Sequence, residues 1–138
     1  MTTVVEKESG EKTLKILIVD DSLMDRKLLM NVLRKNGVTT EFLEAVDGEQ
    51  GIKVLSTNYQ DVCLIMLDWQ MPKIDGIEFM KSVLKVPEVS TIPIIMITAS
   101  SSEDNRKFAH QVNPKLAGYI VKPFRPDQLV EMVKSILE

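Results

Sequence analysis

Apolar residues fall along this chain in two alternating rhythms. Leu14–Val19, Val62–Leu67 and Ile92–Ile97 are apolar at nearly every position, short, and bounded by turn signals. Runs of that kind predict strands buried on both faces. Between them apolar residues recur at helical spacing: Met24, Leu28, Leu29, Val32 and Leu33; then Ile52 and Leu55; then Ile77, Met80, Val83 and Leu84. A last such stripe runs through Leu129, Val130, Val133, Ile136 and Leu137. Thr39–Val46 predicts a weaker strand and Tyr119–Val121 a short fifth one.

Punctuation agrees with the rhythm. Ser22 can cap the first helix, with Asp25 three residues on as its capping-box partner, and Gly37 closes it. Asp47 opens the second helix, where Gly51 costs up to about 1 kcal/mol relative to alanine and predicts a loosely held element. Met71-Pro72 delays the third helix until Asp75 caps it. The fourth, roughly 101–112, offers only Phe108, Ala109 and Val112 as an apolar stripe. We expect it to pack weakly and to be mobile. Pro126 sits in the first turn of the last helix.

Strand and helix therefore alternate five times, with no internal repeat and no linker. That alternation predicts one α/β domain over residues 13–138, its parallel sheet covered by helices on both faces. Residues 1–12, polar and charged, read as a flexible tail. With 17 basic and 20 acidic residues the net charge is −3, which gives no electrostatic case for nucleic acid. No apolar run approaches the roughly 20 residues of a membrane span, and no signal-peptide core is present. The single Cys63 lies inside a strand as a small buried hydrophobe, so a disulfide framework is excluded. A cytoplasmic protein is expected.

Chemistry gathers at the strand ends. Asp20-Asp21 follows the first strand, Asp68 the third, Thr98 the fourth and Lys122 the fifth. In a flavodoxin-like strand order 2-1-3-4-5, an order taken over from known doubly wound sheets, those four strands are neighbours. Ligands bind at the carboxyl edge of such sheets. Converging carboxylates repel one another unless a cation joins them, and hard oxygen donors suit Mg²⁺. A lysine and a hydroxyl beside them match a phosphoryl group, for which an aspartate can be the nucleophile. Singly, each residue has a structural role open to it: a helix cap for Asp20-Asp21 or Thr98, a solvated surface for Lys122. Asp68 is the exception, because a strand-end carboxylate ahead of Met-Pro caps nothing.

The motifs Ile-Val-Asp20-Asp21-Ser, Leu-Asp68-x-x-Met71-Pro72-x-x-Asp75-Gly76, Ile-Thr98-Ala99 and Gly118-Tyr119-x-x-Lys122-Pro123-Phe124 occur in order. Together they resemble the receiver domain of bacterial two-component response regulators, with the chemotaxis regulators as the nearest type. The resemblance implies a (βα)5 fold and phosphoryl transfer from a histidine kinase or phosphotransfer protein onto Asp68. It implies Mg²⁺ held by Asp21, Asp68 and the Gln70 backbone carbonyl, with Asp20 acting through water. Thr98 and Lys122 would contact the phosphoryl group, Tyr119 would be the aromatic switch, and the Lys122-Pro123 bond would be cis. Gln70 would tune phosphoryl lifetime.

Asn113-Pro114 lengthens the segment from Thr98 to Lys122 beyond the family pattern, in the helix 4–strand 5–helix 5 face the family uses for its targets. No effector domain is evident after the last helix, so output is expected through a protein partner. The alternative is a phosphorelay intermediate that hands the group to a histidine phosphotransferase. A Mg²⁺-dependent aspartyl phosphatase would place its nucleophile after strand 1 and its acid pair last. A flavin carrier would need a phosphate loop after strand 1, where Asp20-Asp21 repels phosphate. Trp69, beside Asp68, is expected to be partly buried and to report on the site. His110, alone on a polar helix, has no partner that would give it chemistry.

Overall fold

The computed structural model describes residues 14–138, so the tail expected over 1–12 lies outside the described residues. The elements in order are β1 Lys15–Val19, α1 Leu23–Lys35, β2 Glu41–Ala45, α2 Gly48–Asn58 and β3 Val62–Leu67. They continue as α3 Gly76–Leu84, β4 Ile94–Thr98, α4 Glu103–Val112, β5 Gly118–Val121 and α5 Pro126–Leu137. All strand pairs are parallel and the sheet order is β2-β1-β3-β4-β5. Among the described residues no helix is long and apolar enough to cross a membrane.

The two faces of the sheet divide the core. Ile16, Ile18, Leu64, Met66, Ile95 and Ile97 pack with Leu29 and Leu33 of α1 and Leu129 and Val133 of α5. Leu17, Val19, Ile65, Leu67 and Met96 point the other way, against α2, α3 and α4. Both sets are needed because side chains alternate along a strand, and this accounts for the uninterrupted apolar runs. β4 begins at Ile94 rather than Ile92, since Pro93 has no N–H to give. Its carbonyl still joins the ladder, accepting from the Ile65 N–H at 3.0 Å.

Three local expectations need correcting. In α1 the buried stripe runs through Arg26, Leu29, Met30 and Leu33, whereas Met24 and Leu28 are 81% and 51% exposed. Gly51 is a packing site rather than a weak point. A Cβ there would lie 2.9 Å from Phe79 Cε1 and 3.2 Å from both Val19 methyl groups, so glycine lets α2 approach β1 and α3. Cys63 is half-buried, its Sγ 3.3 Å from the Lys15 carbonyl. The weak packing expected of α4 is found: Ala109 is its only buried residue.

Candidate functional site

Sheet hydrogen bonding continues one residue past β1 and β3, and this fixes the two acidic backbones. The Asp20 N–H donates to the Ala45 carbonyl at 3.0 Å and the Asp68 N–H to the Val19 carbonyl at 2.9 Å. Their side chains are then aimed by the next loop residues. Asp20 Oδ1 accepts from the Ser22 N–H at 2.9 Å, and Asp68 Oδ1 from the Trp69 N–H at 2.8 Å. The loop after Asp68 folds back so closely that the Gly76 N–H reaches the Trp69 carbonyl at 2.7 Å. A Cβ on Gly76 would collide with the Asp68 carbonyl. Asp75 then caps α3 in a full capping box with Glu78.

Asp20, Asp21 and Asp68 each present a carboxylate oxygen, and those atoms lie within 4.8 Å of one another. Asp20 and Asp68 are buried and Asp21 is exposed. Into this cluster comes Lys122 from the end of β5, its backbone N–H fixed on the Thr98 carbonyl at 2.8 Å. Its ammonium Nζ donates to Asp25 at 2.7 Å and Asp20 at 2.8 Å, and stands 3.5 Å from Asp68. The Lys122-Pro123 bond is cis. Burial pushes the Asp68 carboxyl up, the Lys122 charge restrains it, and the Asp20 charge adds to the rise. Burial would pull the Lys122 ammonium down, but its bonds to Asp20 and Asp25 and the charges of Asp68 and Asp20 outweigh it. Lys122 is held above the usual lysine range and stays charged.

Thr98 is 1% exposed, its hydroxyl accepting from the Ser100 N–H at 3.4 Å. Tyr119 is buried with its hydroxyl donating to the Ser100 carbonyl at 3.0 Å. Gln70 is exposed on the loop after Asp68, and Trp69 is partly buried. The strand-end residues Asp20, Asp21, Asp68 and Lys122 therefore meet in one pocket. His110 is exposed.

Three contributors escaped the sequence reading. Asp25 does not complete the capping box; Ser22 Oγ accepts the Asp25 N–H at 3.1 Å, but the carboxylate goes to Lys122. Its place one helical turn beyond Asp20-Asp21 was the available signal. Arg26 is buried because its guanidinium holds the Asp20 carbonyl at 2.7 Å and Glu44 at 2.9 Å. Arg106 of α4 lies over the Tyr119 ring at 4.7 Å and reaches the Tyr119 carbonyl at 3.4 Å.

Comparison with known proteins agrees with this geometry. A family model described as the response regulator receiver domain matches residues 16–134. The chemotaxis protein CheY homolog of Campylobacter jejuni is 35% identical over 127 residues, covering 90% of this chain and 92% of that protein. Among solved structures, chemotaxis protein CheY4 of Vibrio cholerae superposes with a TM-score of 0.77 at 28% identity, covering 90% of this chain and 98% of that one. The Mn²⁺-bound form of response regulator Rcp1 gives 0.72 at 28% identity, with coverage of 89% and 91%. Sequence, sheet order and relatives converge, and the chain belongs to the response regulator receiver domain family as a homologue of the CheY chemotaxis proteins.

Proposed function

We propose that this protein is a cytoplasmic phosphoacceptor switch in which Asp68 takes a phosphoryl group from the phosphohistidine of a kinase or phosphotransfer protein. One observation carries the reading: three carboxylate oxygens from two adjacent strand ends lie within 4.8 Å, with a buried-side ammonium from a third strand among them. Three hard oxygen donors, with Asp21 exposed to leave room for waters, fit Mg²⁺, and a relative has been solved with Mn²⁺ bound. We assign Asp21, Asp68 and the Gln70 carbonyl as ligands, with Asp20 acting through water. Bound there, the ion supplies charge neutralisation for the acidic pocket and an anchor for a phosphoryl oxygen.

This chain's residues do the rest. The Trp69 N–H and the sheet hold the Asp68 carboxylate in place for in-line attack. As the new O–P bond forms, the P–N bond of the donor breaks and its electron pair stays on the imidazole. Lys122 and the Thr98 hydroxyl stabilise the transferring oxygens. As Thr98 turns to that group, Tyr119 follows, and the α4–β5–α5 face changes for a partner protein. The Gln70 side chain tunes water access to the acyl phosphate; unchanged dephosphorylation in both Gln70→Ala and Gln70→Asn would remove that role.

The test is intact mass after incubation with acetyl phosphate and Mg²⁺. A single labile adduct, absent from Asp68→Ala and from a metal-free sample, is expected. No adduct together with a Trp69 fluorescence unmoved by beryllofluoride would overturn the reading.

A further inference from the structure

The Lys122 ammonium has three carboxylates in reach and does not favour the proposed phosphoacceptor. Its short contacts are to Asp25 on α1 and Asp20 on β1, at 2.7 and 2.8 Å, while Asp68 stands off at 3.5 Å. Asp25 differs from the other two. Its side chain is 39% exposed against 3% for Asp20 and 10% for Asp68, and it lies outside the group whose oxygens converge. Nor does α1 require it as a cap partner, because Ser22 Oγ accepts the Asp25 backbone N–H whatever side chain follows. Beside the pair a cavity of about 270 Å³, lined by Asp25, Leu28, Ile97, Lys122 and Phe124, leaves the lysine stem room to swing.

From this geometry we infer that Asp25 is a positioning residue, a parking site that holds Lys122 away from Asp68 until cation and phosphoryl group are both in place. The inference rests on the phosphoacceptor reading above and goes one residue beyond it. Its consequences have opposite signs. Without the Asp25 carboxylate the ammonium moves onto Asp20 and Asp68, where it competes with a dication, so Mg²⁺ binds more weakly. Once Mg²⁺ is saturating, Lys122 has no outer partner to give up, so a phosphoryl mimic binds more tightly. A loss of helix stability alone could not drive the two in opposite directions.

The experiment uses Asp25→Asn in the full chain, with Trp69 fluorescence titrated first with Mg²⁺ and then with beryllofluoride at saturating Mg²⁺. We expect Mg²⁺ affinity to fall roughly threefold and beryllofluoride affinity to rise roughly fivefold, the scale of a partly exposed ion pair. Asp25→Glu should restore both. In a Lys122→Met background the Mg²⁺ effect of Asp25→Asn should shrink, because the ammonium it releases is gone. An equal Mg²⁺ effect in both backgrounds would mean that Asp25 acts through its own charge and would overturn the inference. Unchanged or weaker beryllofluoride binding in a normally folded Asp25→Asn would overturn it too. If the wild type neither responds to beryllofluoride nor forms an adduct with acetyl phosphate, the phosphoacceptor reading fails and this inference with it.

Discussion

The two sides of the pocket are built differently. On the β1–α1–β3 side, the acidic backbones sit in the sheet ladder, Arg26 braces the Asp20 carbonyl, and Gly76 presses the loop against Asp68. On the β4–α4–β5 side, Thr98 and Tyr119 are buried, but the helix above them buries only Ala109. What holds α4 there is peripheral: Arg106 on the Tyr119 ring, and an exposed Phe108 leaning on Trp69. Both sides share the sheet ladder, but the first adds close packing around its carboxylates, whereas α4 is seated on the second by Ala109 and a few side-chain contacts each worth about 1 kcal/mol or less. The switch proposed above, which keeps its carboxylates still while its surface changes shape, would need that asymmetry.

The firm side should break most expensively at Gly76. A methyl there meets backbone, the Asp68 carbonyl and the Trp69 Cα, and cannot be accommodated by a rotamer change. Gly76→Ala should cost about 2–3 kcal/mol in urea unfolding and slow phosphorylation together with it, because the displaced atoms belong to Asp68. A near-neutral result would mean that this loop yields and that the side is not firm.

Asp68 itself strains that side. Its folded-state carboxyl is raised above the ordinary 3.8, mainly by burial. A raised carboxyl stabilises the fold fully below its unfolded pKa and loses that contribution as pH rises through the folded value. At neutral pH without metal, ionised Asp68 is therefore a cost, and Asp68→Asn should raise stability by about 1 kcal/mol. The gain should narrow as pH falls toward 3.8, where the wild type is protonated as well. Adding Mg²⁺ should stabilise the wild type and leave the variant nearly unmoved. Urea midpoints at pH 7 and pH 4, with EDTA or Mg²⁺, check all of this.

What could be read from the sequence follows the same division. The β3 run and its terminal Asp68 were legible because six consecutive apolar residues admit few structures other than a strand covered on both faces. Lys122 was legible through its motif, since nothing local links it to residues about a hundred positions earlier. Asp25 was misread because a local explanation, the capping box, was available and its true partner is 97 residues away. Periodicity put Met24 and Leu28 in the α1 stripe because it cannot see that a buried Arg26 occupies that face, satisfied by Asp20 and Glu44. At Gly51 propensity argued for weakness, but Phe79 and Val19 show that the absence of a side chain is the fit. Local signals locate elements; they do not show which long-range contact takes up a polar residue.

Arg106→Ala sharpens the looser side. It removes the guanidinium from the Tyr119 ring and from the Tyr119 carbonyl. The loss should be about 0.5–1 kcal/mol of stability. Because the contact belongs to the inward, buried Tyr119, its removal should favour the other state and tighten beryllofluoride binding about twofold to threefold. Weaker binding instead would make Arg106 part of the active arrangement.

Phe108→Ala is the smallest perturbation and the cleanest division of the two sides. Its ring lies 6.2 Å from Trp69 at 29°, with the Lys81 ammonium 5.9 Å away, and it is 42% exposed. Truncation should cost no more than about 1 kcal/mol, against about 3–5 kcal/mol for the fully buried Phe79 of α3. Trp69 emission should shift to the red as its cover is lost. Amide hydrogen exchange, expected to be faster in α4 than in α3 because α4 buries only Ala109, should quicken in α4 alone. Equal loss of protection in α3 would mean that α4 is part of the same cooperative unit. The pocket would then be held on one footing all round, and the route from Asp68 to the surface would run through the whole sheet rather than through one thinly seated helix.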